Sequence, residues 1–307
     1  MSEAPRAREP GLYDFLPPSR KPKIHWPNGA RVAFWVVPNI EFYELDPPMN
    51  AARVMWTRPY PDVQAYAWRD YGNRVGVWRM IDVMREAGVR GSVSLNVAVC
   101  DHHPEIVRRC VDLGWELFSH GVYNTRTVGN MTLAQERELT RDALATIKRF
   151  SGQDCVGWLS PALVNNLWTM DLLAEEGVLY TCDLFVDDRP FPVKTKSGRL
   201  CSIPYSLEMN DILALLRFPQ SPREYGRMIK AQFDQLYLEG AESGTVMCIP
   251  LHPYLIGQPN RSEAFADALD YIVRHDGVWL ATGAEIARWY LDHHYDAAVA
   301  AARGGER

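Results

Sequence analysis

Short apolar runs alternate with longer amphipathic segments along most of the chain. Runs rich in β-branched and aromatic residues predict buried strands, and apolar residues that recur every three or four positions predict helices. The predicted strands cover residues 31–37, 91–99, 115–118, 156–159, 179–183, 203–205, 245–249 and 278–281. The predicted helices cover residues 74–86, 104–113, 132–150, 168–176, 222–238, 263–274 and a segment that begins at Ala284. This alternation predicts an α/β fold with a parallel sheet, and it favours a single barrel over a doubly wound sheet.

The segments without this alternation set the expected domain boundaries. Residues 1–29 are rich in Pro and Arg and predict an irregular arm that wraps the domain or contacts another subunit. Residues 42–73 carry many Pro and aromatic residues with little periodicity, which predicts a long and therefore functional loop. The Ala- and Gly-rich residues 293–307 predict a flexible tail. One catalytic barrel at residues 30–292 is therefore expected between an arm and a tail.

Composition narrows the class of protein. A chain of 307 residues can bury a large core, and 47% hydrophobic with 23% charged residues is typical of a soluble globular protein. The net charge of −5 argues against a nucleic-acid partner, and without an apolar run of 18 residues no membrane span is expected. Six cysteines without a Cys-x-x-Cys pair suit reduced thiols in the cytoplasm. The Pro-rich arm and the low net charge favour a homodimer or homotetramer.

Polar side chains follow the predicted strands at the point where each strand ends. These positions are Asn39, Glu41, His120, Asn124, Ser160, Asp183, Asp187, Asp188 and His252. The carboxyl ends of parallel strands meet at one mouth of a barrel, so several such residues together predict a site. His120 and Asn124 would share a face if residues 120–124 wind into one helical turn. A lone histidine is more often a core residue. The presence of several polar residues at strand ends is what favours a functional site here.

Glu41 is the candidate for acid–base chemistry on water. It follows a buried strand, and a carboxylate beside apolar walls has a raised pKa, which suits proton transfer near neutral pH. The two roles open to it are general base on water and weak metal ligand. The alternative is a solvated loop carboxylate.

Three of these segments resemble motifs of the polysaccharide deacetylase family, also called carbohydrate esterase family four. They follow one another along the chain in the same order as the motifs of that family. Residues 119–124 (SHGVYN) resemble its second motif, a pair of metal-binding histidines, and residues 251–253 (LHP) resemble its last motif, whose histidine protonates the leaving nitrogen. Residues 38–41 (PNIE) occupy the first motif, which normally carries two aspartates. The resemblance covers roughly residues 30–290. It implies a distorted, seven-stranded, TIM-like (β/α) barrel that hydrolyses N-acyl groups, usually with a divalent metal.

The departures from the family pattern point to one of its subgroups. Asn39 stands in the place of the base aspartate, Glu41 in that of the ligand aspartate, and Asn124 in that of the second histidine. An asparagine amide is a poor substitute for imidazole, so at most a weakly bound divalent metal, zinc, is expected on Glu41 and His120. The chain resembles the allantoinases and cyclic-imide hydrolases of this fold, which carry Asn-x-Glu in the first motif and keep only the first histidine of the second motif. Further similar stretches are residues 71–78, 187–191, 204–211 and 252–257.

The resemblance and the strand-end positions together give a set of expected roles. The predicted catalytic residues are Glu41, His120 and His252, and the predicted substrate-binding residues are Asn39, Arg74, Asn124, Trp158, Asp188, Tyr205 and Asn210. Arg74 would hold a substrate carbonyl or carboxylate, or else pair with Asp70. Asp188 would position His252 or Arg74, or else belong to a turn. Trp158 and Tyr205 would line the pocket or pack in the core.

The expected function is hydrolysis of a carbon–nitrogen bond in a small, linear or cyclic, non-peptide amide. Glu41 would activate water, His252 or His120 would protonate the departing nitrogen, and backbone N–H groups with Asn124 would stabilise the oxyanion. A metal-dependent N-deacetylase of an amino sugar or polysaccharide is the first alternative. A non-catalytic carbohydrate- or metabolite-binding relative is the second, because Asn39 replaces the expected base.

Overall fold

Nine strands form one continuous sheet in the computed structural model, which describes residues 11–47 and 61–303. In chain order they are β1 (Val32–Ile40), β2 (Ser92–Leu95), β3 (Glu116–Ser119), β4 (Gly157–Trp158), β5 (Tyr180–Thr181), β6 (Phe191–Val193), β7 (Leu200–Ser202), β8 (Thr245–Leu251) and β9 (Val278–Leu280). All nine residues of β1 and all seven of β8 are buried, which explains their nearly unbroken apolar sequences. These two strands are the centre of the fold.

The sheet is a distorted barrel of parallel strands. Seven of them follow the order β7-β5-β4-β3-β2-β1-β8, and β6 pairs with β7 in the antiparallel direction. One edge of β1 pairs with β8 along residues 32–38, while the other edge pairs with β9 at its amino end and with β2 at Asn39 and Ile40. The sheet curls around a buried core, and the predicted (β/α) barrel fold is confirmed.

Eleven α-helices of the described residues accompany the sheet. They are α1 (Val63–Tyr71), α2 (Val77–Glu86), α3 (Ala98–His102), α4 (Pro104–Asp112), α5 (Leu133–Ser151), α6 (Thr169–Glu175), α7 (Pro222–Glu239), α8 (Pro253–Ile256), α9 (Ser262–Val273), α10 (Gly283–His293) and α11 (Tyr295–Arg303). The predicted N-cap of α5 is present, because the Thr132 hydroxyl accepts the backbone N–H of Gln135 and the Gln135 side chain accepts that of Thr132. None of these helices is long and apolar enough to cross a membrane.

The predicted loop over residues 42–73 is wrong for its last third. Residues 63–71 form α1, whose N-cap is Asp62, and one turn of π-helix at Gly72–Gly76 joins it to α2. Residues 48–60 of that predicted loop lie outside the described residues. The predicted strand over 91–99 is shorter, because the chain turns into α3 from Ala98 onwards.

The described residues near both ends of the chain pack against the barrel. In the predicted arm, Ile24 and Trp26 are buried, and the Trp26 indole donates to the carbonyl of Thr245 at 2.9 Å. The predicted flexible tail is wrong for residues 295–303, because they form α11, where the Tyr295 ring lies 5.2 Å from the Arg199 guanidinium carbon. Residues 1–10 and 304–307 lie outside the described residues. All six cysteines are buried free thiols.

Candidate active site

Three acid–base side chains converge where β1, β3 and β8 end. Glu41 follows β1, His120 follows β3 and His252 follows β8. Glu41 Oε1 lies 3.4 Å from His120 Nε2 and 3.7 Å from His252 Nε2. Their side chains are only 6%, 5% and 4% exposed, respectively. The structure therefore brings the three predicted catalytic residues into one buried cluster at the carboxyl end of the barrel.

His252 is held by a carboxylate that faces its far ring nitrogen. Asp211 Oδ1 lies 2.7 Å from His252 Nδ1, and Asp211 Oδ2 accepts the backbone N–H of His252 at 2.8 Å. Burial alone would lower the pKa of His252, but the negative charges of Asp211 and Glu41 outweigh it and raise the pKa to about 9. His252 is therefore an imidazolium at neutral pH, with a proton on Nε2 to donate. Asp211 has no role that the sequence alone could predict, since 41 residues separate it from His252 and no local signal pairs them.

His120 is held by a neutral carbonyl instead. Its Nδ1 lies 2.9 Å from the carbonyl oxygen of Leu159. A carbonyl only accepts, so Nδ1 carries a hydrogen, and in the neutral ring Nε2 has the lone pair. The two histidines therefore differ in chemistry, because a carboxylate supports the proton-rich form of His252 and a carbonyl fixes a proton-accepting tautomer of His120.

Residues 120–124 do not form the helical turn that would place His120 and Asn124 on one face. Gly121 has φ +66°, and a Cβ there would come within 2.8 Å of the Pro161 ring, so the chain leaves β3 in a conformation suited to glycine. Asn124 reaches the cluster by another route. Its Nδ2 donates to the Tyr43 hydroxyl, which donates to Glu41 Oε2 at 2.6 Å.

Tyr43 is a site residue that the sequence analysis missed. It lies in the segment predicted as a loop, two residues after Glu41, and the Arg69 guanidinium carbon lies 4.3 Å from the centre of its ring. Asn73, from the π-helical turn, donates to the backbone carbonyl of Glu41 at 2.8 Å. The only sequence signal was the aromatic content of this loop, which does not single out one tyrosine.

The expectation of a raised pKa at Glu41 is wrong. Burial does act in that direction, but the positive charge of His252 and the closeness of both imidazole rings outweigh it and hold the pKa well below its usual value. Glu41 is therefore a stable carboxylate and a weak proton acceptor. Its charge instead favours the protonated form of His252.

Three predicted substrate-binding residues bond to one another beneath the cluster. Asn39 Nδ2 lies 3.1 Å from the Tyr205 hydroxyl and 3.2 Å from the carbonyl of Leu251, and Asn210 Nδ2 lies 3.2 Å from the same hydroxyl. The side-chain donors of Asn39 and Asn210 are thus directed at protein groups. This network fixes Leu251, the residue before His252, so its structural role is to position the cluster.

Three other predicted substrate-binding residues lie away from the cluster. Arg74 has a side chain that is 70% exposed and pairs with Asp70. The backbone carbonyl of Asp188 accepts the N–H of Val246 near the start of β8, which places Asp188 at the opposite end of the barrel. Trp158 is fully buried in the core and donates to Ser160 Oγ at 3.0 Å. These three substrate-binding assignments are corrected. Arg74 is exposed, Asp188 lies at the amino end of β8, and Trp158 is packed in the core.

The side chains at the site do not fit a resident metal ion. Among residues 11–47 and 61–303, no three His, Cys, Asp or Glu side chains are arranged to hold one. The position that the family resemblance gives to a second histidine holds Asn124, whose amide nitrogen is bonded to Tyr43. The expectation of a weakly bound divalent metal on Glu41 and His120 is therefore not supported by the donor set.

The buried acid–base cluster lies at the carboxyl end of a curled parallel barrel, which is the end where α/β-barrel enzymes place their active sites. No family model matches the chain. The crystal structure of a probable polysaccharide deacetylase from Pseudomonas aeruginosa PAO1 is 30% identical, covers 89% of this chain and 95% of its own, and has a TM-score of 0.76. That of the allantoinase PuuE is 28% identical, covers 95% of this chain and 99% of its own, and has a TM-score of 0.79.

A Schizosaccharomyces pombe protein named as a polysaccharide deacetylase is 24% identical and covers 89% of this chain and 94% of its own. The chain belongs to the polysaccharide deacetylase family. It is a hydrolase of carbon–nitrogen bonds other than peptide bonds.

Proposed function

We propose that the protein hydrolyses a small, non-peptide amide, linear or cyclic, of the kind that allantoinases and cyclic-imide hydrolases use. The observation that carries the proposal is the burial of Glu41, His120 and His252, whose side chains are 4–6% exposed. A buried cluster suits a molecule small enough to be enclosed, whereas a polymer must lie across an open groove. The similarity to the allantoinase PuuE over 95% of the chain supports the same substrate class.

In this proposal the two histidines divide the proton transfers. His120 Nε2 takes a proton from the attacking water, whose oxygen bonds to the carbonyl carbon. The carbon–nitrogen bond then breaks, and the departing nitrogen takes the proton from His252 Nε2. Asp211 holds the donor ring in place through its other nitrogen, 2.7 Å away.

Glu41 acts through its charge. Its carboxylate lies between the two Nε2 atoms, so it stabilises His120 as that ring gains a proton and keeps His252 protonated until the nitrogen departs. Tyr43 fixes the carboxylate by its hydrogen bond to Oε2. The sequence-based role of Glu41 as general base is replaced, because its lowered pKa makes it a poor proton acceptor.

The second candidate is an N-deacetylase of an amino sugar or polysaccharide. It is favoured by the names of the P. aeruginosa and S. pombe relatives. The donor set at the site counts against its metal-dependent form, since Asn124 is bonded to Tyr43. The remaining alternative is a non-catalytic binding protein. It does not explain why Asp211 is paired with His252 at the cluster.

Assays on purified protein separate these candidates. We expect hydrolysis of allantoin or succinimide, unchanged within about twofold by a chelator such as EDTA, and no release of acetate from chitooligosaccharides. A Glu41→Gln variant prepared in parallel serves as the control for contaminating activity. Acetate release that the chelator abolishes would support the metal-dependent deacetylase and overturn the proposal.

The pH dependence of kcat/KM should report the His252 imidazolium. Because the acid form is required and its pKa is raised to about 9, activity should fall as the pH rises through about 9. In Asp211→Asn the negative partner is lost and burial dominates, so the falling limb should move to lower pH by at least about one unit. Asp234→Asn, which changes a surface carboxylate bonded to Tyr271, is the matched control. An identical alkaline limb in Asp211→Asn and wild type would contradict the assignment of His252 as the acid.

A further inference from the structure

Attack of water on an amide creates negative charge on the carbonyl oxygen, and some group must stabilise it. A metal ion would serve that purpose in a metal-dependent hydrolase, but this donor set does not fit one. Asn124 was the side chain expected to do so, and its Nδ2 is directed at Tyr43. The proposed reaction therefore needs another donor at the cluster.

Tyr254 is placed beside the proposed acid. It is the second residue of α8, directly after His252 and Pro253, and its ring centre lies 5.6 Å from that of the His252 imidazole. The Arg69 guanidinium carbon lies 5.9 Å from the ring centre, and the Trp68 ring packs against it at 5.2 Å. Gly72 permits this close approach, because a Cβ there would lie 2.7 Å from the backbone nitrogen of Tyr254. The ring is thus fixed between His252 and the Arg69 side chain.

The hydroxyl of Tyr254 is buried and, within the described part of the chain, has no hydrogen-bond partner. A buried polar atom without a partner is unfavourable for folding, so its presence calls for an explanation. Other buried tyrosines of this barrel are satisfied: Tyr180 bonds to Glu116, Tyr205 to Asn39 and Tyr225 to the carbonyl of Met209. Tyr254 is the exception among these four, and it is the one that packs against His252.

We propose that the Tyr254 hydroxyl donates a hydrogen bond to the substrate carbonyl oxygen as it becomes an oxyanion. This assignment rests on the proposed amide hydrolysis and adds a catalytic residue to it. In this proposal the substrate oxygen is the hydrogen-bond acceptor that the hydroxyl lacks in the free enzyme. The hydroxyl is then already oriented to stabilise the transition state. Burial, together with the charge of Glu41, raises the pKa of Tyr254, so the hydroxyl keeps the proton that it donates.

Tyr254→Phe removes the hydroxyl and keeps the ring. Loss of one oxyanion donor should lower kcat by about 10²- to 10³-fold. KM should change little, because the bond strengthens only in the transition state. Tm should stay the same or rise, since the variant loses an unsatisfied buried polar atom and no hydrogen bond to residues 11–47 or 61–303.

Tyr180→Phe is the matched control. Tyr180 is also fully buried, but its hydroxyl lies 2.8 Å from Glu116 Oε1, at the amino end of the barrel. Its removal leaves a buried carboxylate short of a donor, so Tm should fall while kcat is preserved. The two variants are expected to change stability and activity in opposite ways.

Each outcome of the paired measurement is decisive. Full kcat in Tyr254→Phe, or a lower Tm than wild type, would overturn the oxyanion role and identify the hydroxyl as structural. If the wild type hydrolyses no small amide but deacetylates a glycan, the proposed function fails. The same kcat comparison on the glycan then tests Tyr254, because that reaction also passes through an oxyanion. A wild type without activity on either class removes both the function and the inference.

Discussion

His252→Ala should lower kcat/KM for an amide substrate by between about 10²- and 10⁴-fold, the contribution expected of a positioned general acid. The imidazolium between Asp211 and Glu41 is the protonated group that the structure offers to a departing nitrogen. An amide nitrogen leaves poorly without a proton, so the loss should fall on kcat. Initial rates with saturating and limiting substrate, measured at pH 7, separate the effects on kcat and KM.

A general acid has a signature that a structural histidine lacks. Activated aryl esters expel a leaving group that needs no proton, so any esterase activity of the enzyme should fall far less in His252→Ala than its amidase activity. His275→Ala is the control, since the His275 ring bonds to the carbonyl of Tyr271 and packs against Phe233, outside the cluster. Equal losses on both substrate types would mean that His252 supports the site without donating a proton.

Glu41→Gln should lower kcat by a similar factor, about a hundredfold or more. The substitution keeps size and shape but removes the charge that lies 3.4 Å from His120 Nε2 and 3.7 Å from His252 Nε2. Without that charge, the imidazolium form of His252 is less favourable, so the alkaline limb of the pH profile should also move to lower pH. The measurement is kcat as a function of pH, together with Tm to exclude unfolding.

Glu44→Gln is the matched variant for Glu41→Gln. Glu44 lies three residues further along the same loop, but its carboxylate pairs with Arg126 and Thr125 and does not touch the histidines. Its loss should leave kcat near the wild-type value. Near-normal turnover in Glu41→Gln would remove the charge-based role of this carboxylate from the mechanism.

The main strands were predictable because burial on both faces requires an almost continuous run of apolar residues. β1 and β8 are apolar along their whole length, and the predicted spans 31–37 and 245–249 agree with most of Val32–Ile40 and Thr245–Leu251. Short strands were harder. β6 has three residues and its sequence contains a proline, so the pattern gave no signal for it.

The largest errors of prediction fell on segments that lack regular spacing. The helix α1 has apolar residues on no consistent face, so its residues could not be told from a loop until α8 and the π-helical turn were seen to pack against it. The tail was predicted to be flexible from its Ala and Gly content, although alanine also favours helix once α11 has a surface to pack on.

The sequence by itself determined the alternation of strands and helices, the barrel, and the strand-end residues Glu41, His120 and His252. The reason is that a buried strand and the polar residue at its end can both be recognised within a short stretch of sequence. Only the tertiary structure decided what surrounds them. It paired His252 with Asp211, gave Asn124 to Tyr43 and placed Asp188 at the far end of β8. The physical reason is that pKa and hydrogen bonding depend on neighbours in space, and those neighbours lie tens to hundreds of residues apart along the chain.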